Sequence, residues 1–242
     1  MQLCGTLGNA IRKAGRMTLV SRAFGLAVAA CLLAGCGNDV SWHQKVTVTV
    51  ATPNGEVSGV SVMEVSWSGG IPFIVGDARG GGFKLTGEAP VVKLGNGRYL
   101  FALLKGMDSK LLYQLRNKDG RGASMKDNSR AILGLKEPLV LPVEAYPLLV
   151  TFADINDPAS VTRVDPDDLA AHFGPGYALS SITLAITDEK VTKGRVEAVL
   201  GWFYETRYLI PPDEKPRLAK DRTPEQNVGQ LDFISGNLWR KE

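Results

Sequence analysis

The sequence predicts an α+β chain that is mostly β, an antiparallel sandwich or open barrel followed by a smaller region with two short helices. Three observations carry this reading. Valine alternates with threonine from Val46 to Val50, β-prone runs separated by Gly, Pro and Asn turns recur up to Phe152, and helical spacing appears only afterwards. The chain has 242 residues, and a body of about two hundred buries roughly 70% of its unfolded surface, enough for a sizeable core.

Val46, Val48 and Val50 share one face of a first strand, with Thr47 and Thr49 on the other. Thr52-Pro53-Asn54-Gly55 is a turn, because Pro presets one φ and Asn-Gly accepts positive φ. A second strand covers 57 to 67, and its apolar phase slips between Val62 and Val65, which predicts a bulge. Ser68-Gly69-Gly70 and Arg79-Gly80-Gly81-Gly82 then bracket a loop. A phosphate cradle needs such glycines to open a helix, but Phe83-Lys84-Leu85 continues as a strand. The loop is expected to cross a sheet edge, with Trp67 and Arg79 on the rim of a ligand site. Val91–Leu94, Gly95-Asn96-Gly97 and Arg98–Leu104 form the clearest hairpin. Further strands are expected at 111–115, 131–135, 139–141 and 148–152, completing a β-rich domain over 45–152.

Beyond Phe152 the pattern changes, and residues 153–242 read as an α+β extension packed on that domain. Asp165 is placed as an N-cap and Pro166 at the first helical position, with Gly174-Pro175-Gly176 ending the helix. Ile182, Leu184 and Ile186 mark a strand over 179–187. Val196, Val199, Leu200 and Phe203 show helical spacing over 194–203. Residues 205–226, with Pro211, Pro212, Pro216 and Pro224, read as an exposed loop, and 231–234 as an edge strand.

The amino-terminal segment has a different character. Residues 1–35 contain Arg12, Lys13, Arg16 and Arg22, no acidic residue, and an apolar run from Ala23 to Gly35. That is the profile of a secretory signal, and thirteen apolar residues fall short of the roughly 20 that span a bilayer. Met17 directly precedes the most compact version of this signal and is the expected start. Leu32-Leu33-Ala34-Gly35-Cys36 resembles the lipobox of bacterial lipoproteins. The resemblance implies a diacylglyceryl group on Cys36, cleavage after Gly35, acylation of the new terminus with a chain such as palmitate, and a lipidated tether over 36–44. One acyl chain binds a membrane marginally, whereas two or three hold firmly. Gly37 in place of Asp after the cysteine implies transport to the outer membrane, on the periplasmic side of the cell envelope.

Four of the 28 basic residues lie in this leader, so the remainder carries 24 against 25 acidic residues. The basic footprint of a nucleic-acid binder is missing, and no nucleic-acid partner is expected. Cys4 and Cys31 also belong to the leader, which leaves Cys36 without a disulfide partner.

Two further resemblances bear on the body. The alternating valines, Pro-Asn-Gly turn and Gly97-Arg98-Tyr99-Leu100-Phe101 look like prealbumin-like and carboxypeptidase-regulatory-like sandwiches. Tyr146 to Phe152, Asp154-Ile155-Asn156-Asp157-Pro158, Arg163 to Leu169 and Ile186-Thr187-Asp188-Glu189 are similar to an uncharacterised family of proteobacterial envelope proteins. That likeness extends over residues 45–203 and implies an envelope domain without an assigned activity.

Candidate chemistry is sparse. Asp154, Asn156, Asp157, Asp165, Asp167 and Asp168 offer oxygen ligands for a hard cation, with Asp154, Asp157 and Asp165 the metal candidates. The EF-hand pattern fails, with Ala159 at its sixth place and Asp165 at its twelfth, so Asx turns and helix capping are the preferred reading. His43 and His172 have no second His or Cys spaced for zinc. His172 with Ser180 or Ser181 lacks a nucleophile elbow. No cofactor and no catalytic residue is assigned. The sequence favours a lipid-anchored, non-catalytic binding or structural module with an envelope protein or glycan partner. The alternatives are a membrane-tethered hydrolase, or a metal- or small-ligand-binding module using the 154–168 loop.

Overall fold

Strand β1 (Val40–Thr52) and strand β2 (Gly55–Ser68) pair antiparallel without interruption, from Val40 opposite Trp67 to Thr52 opposite Gly55. The computed structural model describes residues 39–69, 82–111, 125–206 and 208–236. Along β1 every second residue from Trp42 to Val50 is buried. The strand therefore starts five residues before the fold was expected to begin at 45. Ser41-Trp42-His43-Gln44 is polar in composition yet keeps the period of two. Gln44 can face the core because its Nε2 donates to the Met107 carbonyl at 2.8 Å, while its Oε1 accepts from Trp42 Nε1 at 3.2 Å.

The bulge expected in β2 is absent, since its register with β1 does not shift. Val62, on the outward phase, is buried for a different reason: Thr192 lies on the free edge of β2. Its backbone N donates to the Val62 carbonyl at 2.9 Å and its Oγ1 accepts from Val62 N at 2.8 Å. A register shift occurs instead where β1 meets β9, at Thr49 and Val50.

Two antiparallel sheets result. The first runs β10-β3-β2-β1-β9-β6 and the second β4-β5-β7-β8. The first adds β3 (Gly82–Glu88), β6 (Leu139–Val140), β9 (Ala178–Ile186) and β10 (Ile234–Ser235) to the opening pair. The second contains β4 (Val91–Gly95), β5 (Arg98–Ala102), β7 (Leu149–Phe152) and β8 (Val161–Val164). Strands from beyond Phe152 thus enter both sheets. Of the two arrangements read from the sequence, the sandwich is the one observed.

Val46, Val48 and Val50 of the first sheet share one core with Leu100, Phe101 and Val150 of the second. The sheets approach closely at Gly59, where an added Cβ would come within 2.8 Å of Val92 N and nearer still to the Val91 carbonyl. The β4–β5 hairpin turns at Asn96 (φ 51°) and Gly97 (φ 71°), positive at both central positions as a type I′ turn requires.

Helix α1 (Met125–Ile132) stands across part of the strand expected at 131–135. Its buried residues Asn128, Ser129 and Ile132 are mostly polar, so the buried face leaves no apolar periodicity to read. The strand expected at 111–115 lies outside the described residues from 112 onward. Helix α2 (Ala170–Phe173) begins later than predicted. Asp165 Oδ1 accepts from Asp167 N at 3.0 Å and closes a turn, while Asp168 Oδ1 accepts from Ala171 N at 3.1 Å and caps the helix. Helix α3 (Arg195–Val199) is shorter than its periodicity suggested, because Leu200 leaves helical dihedrals at φ −100°, ψ 77°. Val196, Leu200 and Phe203 are nevertheless all buried. Residues 205–226 form short 3-10 turns at Pro212–Glu214, Ala219–Asp221 and Glu225–Asn227. Among the described residues no helix is long and apolar enough to cross a membrane.

Candidate functional site

One open concavity among the described residues follows from where β10 ends. β10 pairs only with Gly87 and Glu88 of β3, so the earlier part of β3 borders an open groove of about 370 Å³. Phe83, Leu85 and Leu104 supply its apolar lining, and Lys84, Lys105 and Asp108 its charged rim. Three separate segments build it. The period of two in β3 turns Phe83 and Leu85 toward the core and Lys84 toward solvent. Leu104 is tied down by its N–H donating to the Asp232 carbonyl at 2.7 Å. Leu231, on the same wall, is 62% exposed. Asp108 accepts from the Ser109 hydroxyl at 3.2 Å, and Asp232 Oδ2 accepts from Gly229 N at 2.8 Å, so the two acids are engaged in their own turns.

Trp67, a predicted rim residue, stands next to this groove. It is the register partner of Phe83 on one side and of Val40 on the other. Direct cross-strand partners share a face, so Val40, Trp67 and Phe83 form one half-buried row at the end of the first sheet. Arg79 and Cys36 lie outside the described residues.

The acidic loop is organised by its own backbone. Asp154 Oδ1 accepts from Asn156 N at 2.9 Å, and Asp157 Oδ1 accepts from Ala159 N at 2.9 Å. The Ser160 hydroxyl sits between the Asp154 and Asp157 carbonyls at 2.8 and 2.7 Å. Asp165 and Asp168 close the turns described above. Among the described residues no three His, Cys, Asp or Glu side chains come together in a metal-binding group. His43 Nδ1 lies 2.7 Å from the Glu189 carbonyl. His172 is exposed and its ring lies 6.2 Å from that of Phe173. The Ser180 hydroxyl donates to Glu56 Oε1 at 2.7 Å across the sheet surface.

An acidic pair, Glu88 buried and Glu197 half-buried, leaves no signal in the sequence. Glu88, at the end of β3, is 1% exposed, and its Oε2 accepts from the backbone N of Arg195 at 3.0 Å and of Val196 at 3.3 Å. Burial raises its pKa above 4.5, the two backbone bonds oppose that rise, and the Glu197 charge adds to it. Glu197 Oε1 accepts from the Tyr204 hydroxyl at 2.8 Å. Burial, then the bond to Glu197 and the Glu197 and Glu88 charges, push Tyr204 up to about 12. The Arg195 guanidinium turns away from this pair and donates to the Val60 carbonyl. The geometry is that of a clamp holding α3 to β2 and β3, and Gly87-Glu88-Ala89-Pro90 carries no periodic signal that would reveal it.

Arg98 makes a second clamp. Its Nη1 donates to the Phe173 carbonyl at 2.7 Å and its Nη2 to the Tyr177 hydroxyl at 3.0 Å. The guanidinium carbon lies 5.9 Å from the Phe173 ring centroid and 5.1 Å from that of Tyr177. No family model, curated protein or solved structure matches this chain.

Proposed function

We propose that the mature chain is a lipid-anchored domain of the cell envelope, attached through Cys36, that works by binding or by structural support rather than by catalysis. One observation carries the reading. A basic segment, a thirteen-residue apolar run and Leu32-Leu33-Ala34-Gly35-Cys36 follow in order, and the folded unit opens at Val40, immediately after them. An export and lipidation signal set directly against a folded body leaves the body tethered to a membrane by a few residues. Gly37 after the cysteine supports the periplasmic face of the outer membrane as the destination.

The binding reading draws on positive features of the body. The carboxylates of Asp154, Asp157, Asp165 and Asp168 accept from backbone N–H groups, and the Ser180 hydroxyl donates to Glu56. The groove beside β3 instead combines apolar walls with charged rims, the composition of a binding surface. An envelope protein or a glycan is the partner expected on the faces turned away from the membrane.

Expression of the full chain from its own leader tests the anchor. Mass spectrometry of the mature terminus should find diacylglyceryl and acyl groups on Cys36, and Cys36→Ala should move the protein out of the membrane fraction. An unmodified thiol on protein retaining its leader would overturn the reading.

A further inference from the structure

We infer that the end of the first sheet marked by Val40, Trp67 and Phe83 is the face that rests on the bilayer, with Lys84 and Lys105 meeting acidic lipid headgroups. The inference rests on the lipid-anchor reading and adds an orientation to it.

Chain length supplies the constraint. Four residue steps separate Cys36 from Val40, and a fully extended chain covers at most about 14 Å over that distance. The headgroup layer takes up about 5 to 8 Å on each side of the hydrocarbon core, so Val40 stays within roughly 9 Å of its outer surface. A domain on so short a tether cannot present an arbitrary face. The residues that must lie closest are those in register with Val40, and these are Trp67 and then Phe83.

Their chemistry suits that position. Val40, Trp67 and Phe83 are incompletely covered by the core they adjoin, and Leu231 on the neighbouring wall is more than half exposed. Tryptophan at a water–hydrocarbon boundary buries its ring and keeps its N–H wet. Lys84 and Lys105 are exposed beside this row and can extend their ammonium groups to phosphates while their stems lie along apolar surface. The opposite end of β1 carries the exposed Pro53-Asn54 turn. Thirteen residues of strand place that turn about 40 Å away.

The full chain, lipidated and reconstituted into vesicles of phosphatidylethanolamine and phosphatidylglycerol, provides the test. The mature chain has no cysteine except Cys36, so Ser66→Cys and Asn54→Cys each accept one environment-sensitive fluorophore. Ser66 is in register with Ser41 and Lys84. Ser41→Cys, exposed and in register with Ser66, is the substitute reporter should Ser66→Cys fail to fold. Brominated lipids should quench the label at 66 several-fold more than the label at 54, and replacing phosphatidylglycerol with phosphatidylcholine should weaken that quenching. Equal quenching at both positions, or stronger quenching at 54, overturns the orientation, and indifference to lipid charge overturns the lysine contacts. Mass spectrometry of the same sample separates the two readings. A modified Cys36 with a solvent-exposed label at 66 sinks the orientation alone, whereas an unmodified Cys36 sinks the anchor and the orientation with it.

Discussion

The β1–β2 ladder and the segment after Phe152 hold their places in different ways. The ladder pairs thirteen consecutive positions of each strand, so its stability is spread over many equivalent contacts. The later segment sends β9 and β8 into the two sheets and apolar side chains into their core, but elsewhere it is irregular chain fixed to the body by a few polar anchors. Glu88 receives the N–H groups of Arg195 and Val196, and Arg98 grips Phe173 and Tyr177. Repetition makes the ladder tolerant of most single changes on its outer face. Concentration makes the later segment sensitive at a handful of residues.

The largest expected effect lies in the ladder, at the one place where its tolerance ends. Gly59→Ala would drive a methyl group into the backbone of Val91 and Val92, and neither sheet can yield locally. A loss of about 3 kcal/mol is expected, at the upper end of overpacking costs. Urea unfolding would measure it, and a near-neutral result would show that the sheets slide past each other freely.

Next comes Glu88→Ala, which strips two buried N–H groups of their acceptor and should cost about 2 kcal/mol. Thr47→Ala, on the outer face of the ladder, should stay within about 0.5 kcal/mol. Comparable losses for the two would show that the ladder and the later segment do not differ in tolerance. Glu88 also gives the comparison a pH signature. The folded state holds its proton to a higher pH than the unfolded value of 4.5. Stability should therefore decline as pH rises from about 4.5 through the raised pKa, because over that window the folded state binds more proton than the unfolded one. Glu88→Gln should flatten this slope while keeping one oxygen for the two N–H groups.

A smaller effect is expected of Arg98→Lys, which keeps the charge but loses the planar fork and its stacking between Phe173 and Tyr177. About 1 kcal/mol should be lost, with accelerated hydrogen exchange around α2 and little change in β1. Uniform acceleration across both would argue against a local clamp. The mildest test reads chemistry rather than stability. Tyr204 should resist ionisation until about pH 12 in an ultraviolet titration. Glu197→Gln should lower that value while leaving it above 10, since burial is the larger cause.

Much of the sandwich was legible in the chain itself. The alternation of Val46, Val48 and Val50, the Pro53-Asn54-Gly55 turn and the hairpin around Asn96-Gly97 each state their structure within a few residues. Misreadings arose where burial came from distant chain. Val62 looked like a phase error because nothing nearby shows that Thr192 covers it. Helix α1 looked partly like a strand because its buried face includes Asn128 and Ser129. No residue lining the groove is marked as a site residue by the sequence, and Trp67 stands beside the groove rather than in its lining. Lys84, Lys105 and Leu231 come from three segments whose meeting leaves no mark in any of them. Glu88 was invisible for the same reason, since a buried acid is spelled like an exposed one.

By itself the sequence determined the strand faces, the tight turns, the charge of the body and the motif on which the anchor reading rests. These depend on contacts between residues a few positions apart, which period and spacing record directly. Only the tertiary structure decided that β9 pairs with β1, that Glu88 and Arg98 lock the later segment down, and that Val40, Trp67 and Phe83 form one row. Those outcomes depend on which distant surfaces exclude water from one another, and no local stretch of chain encodes that choice alone.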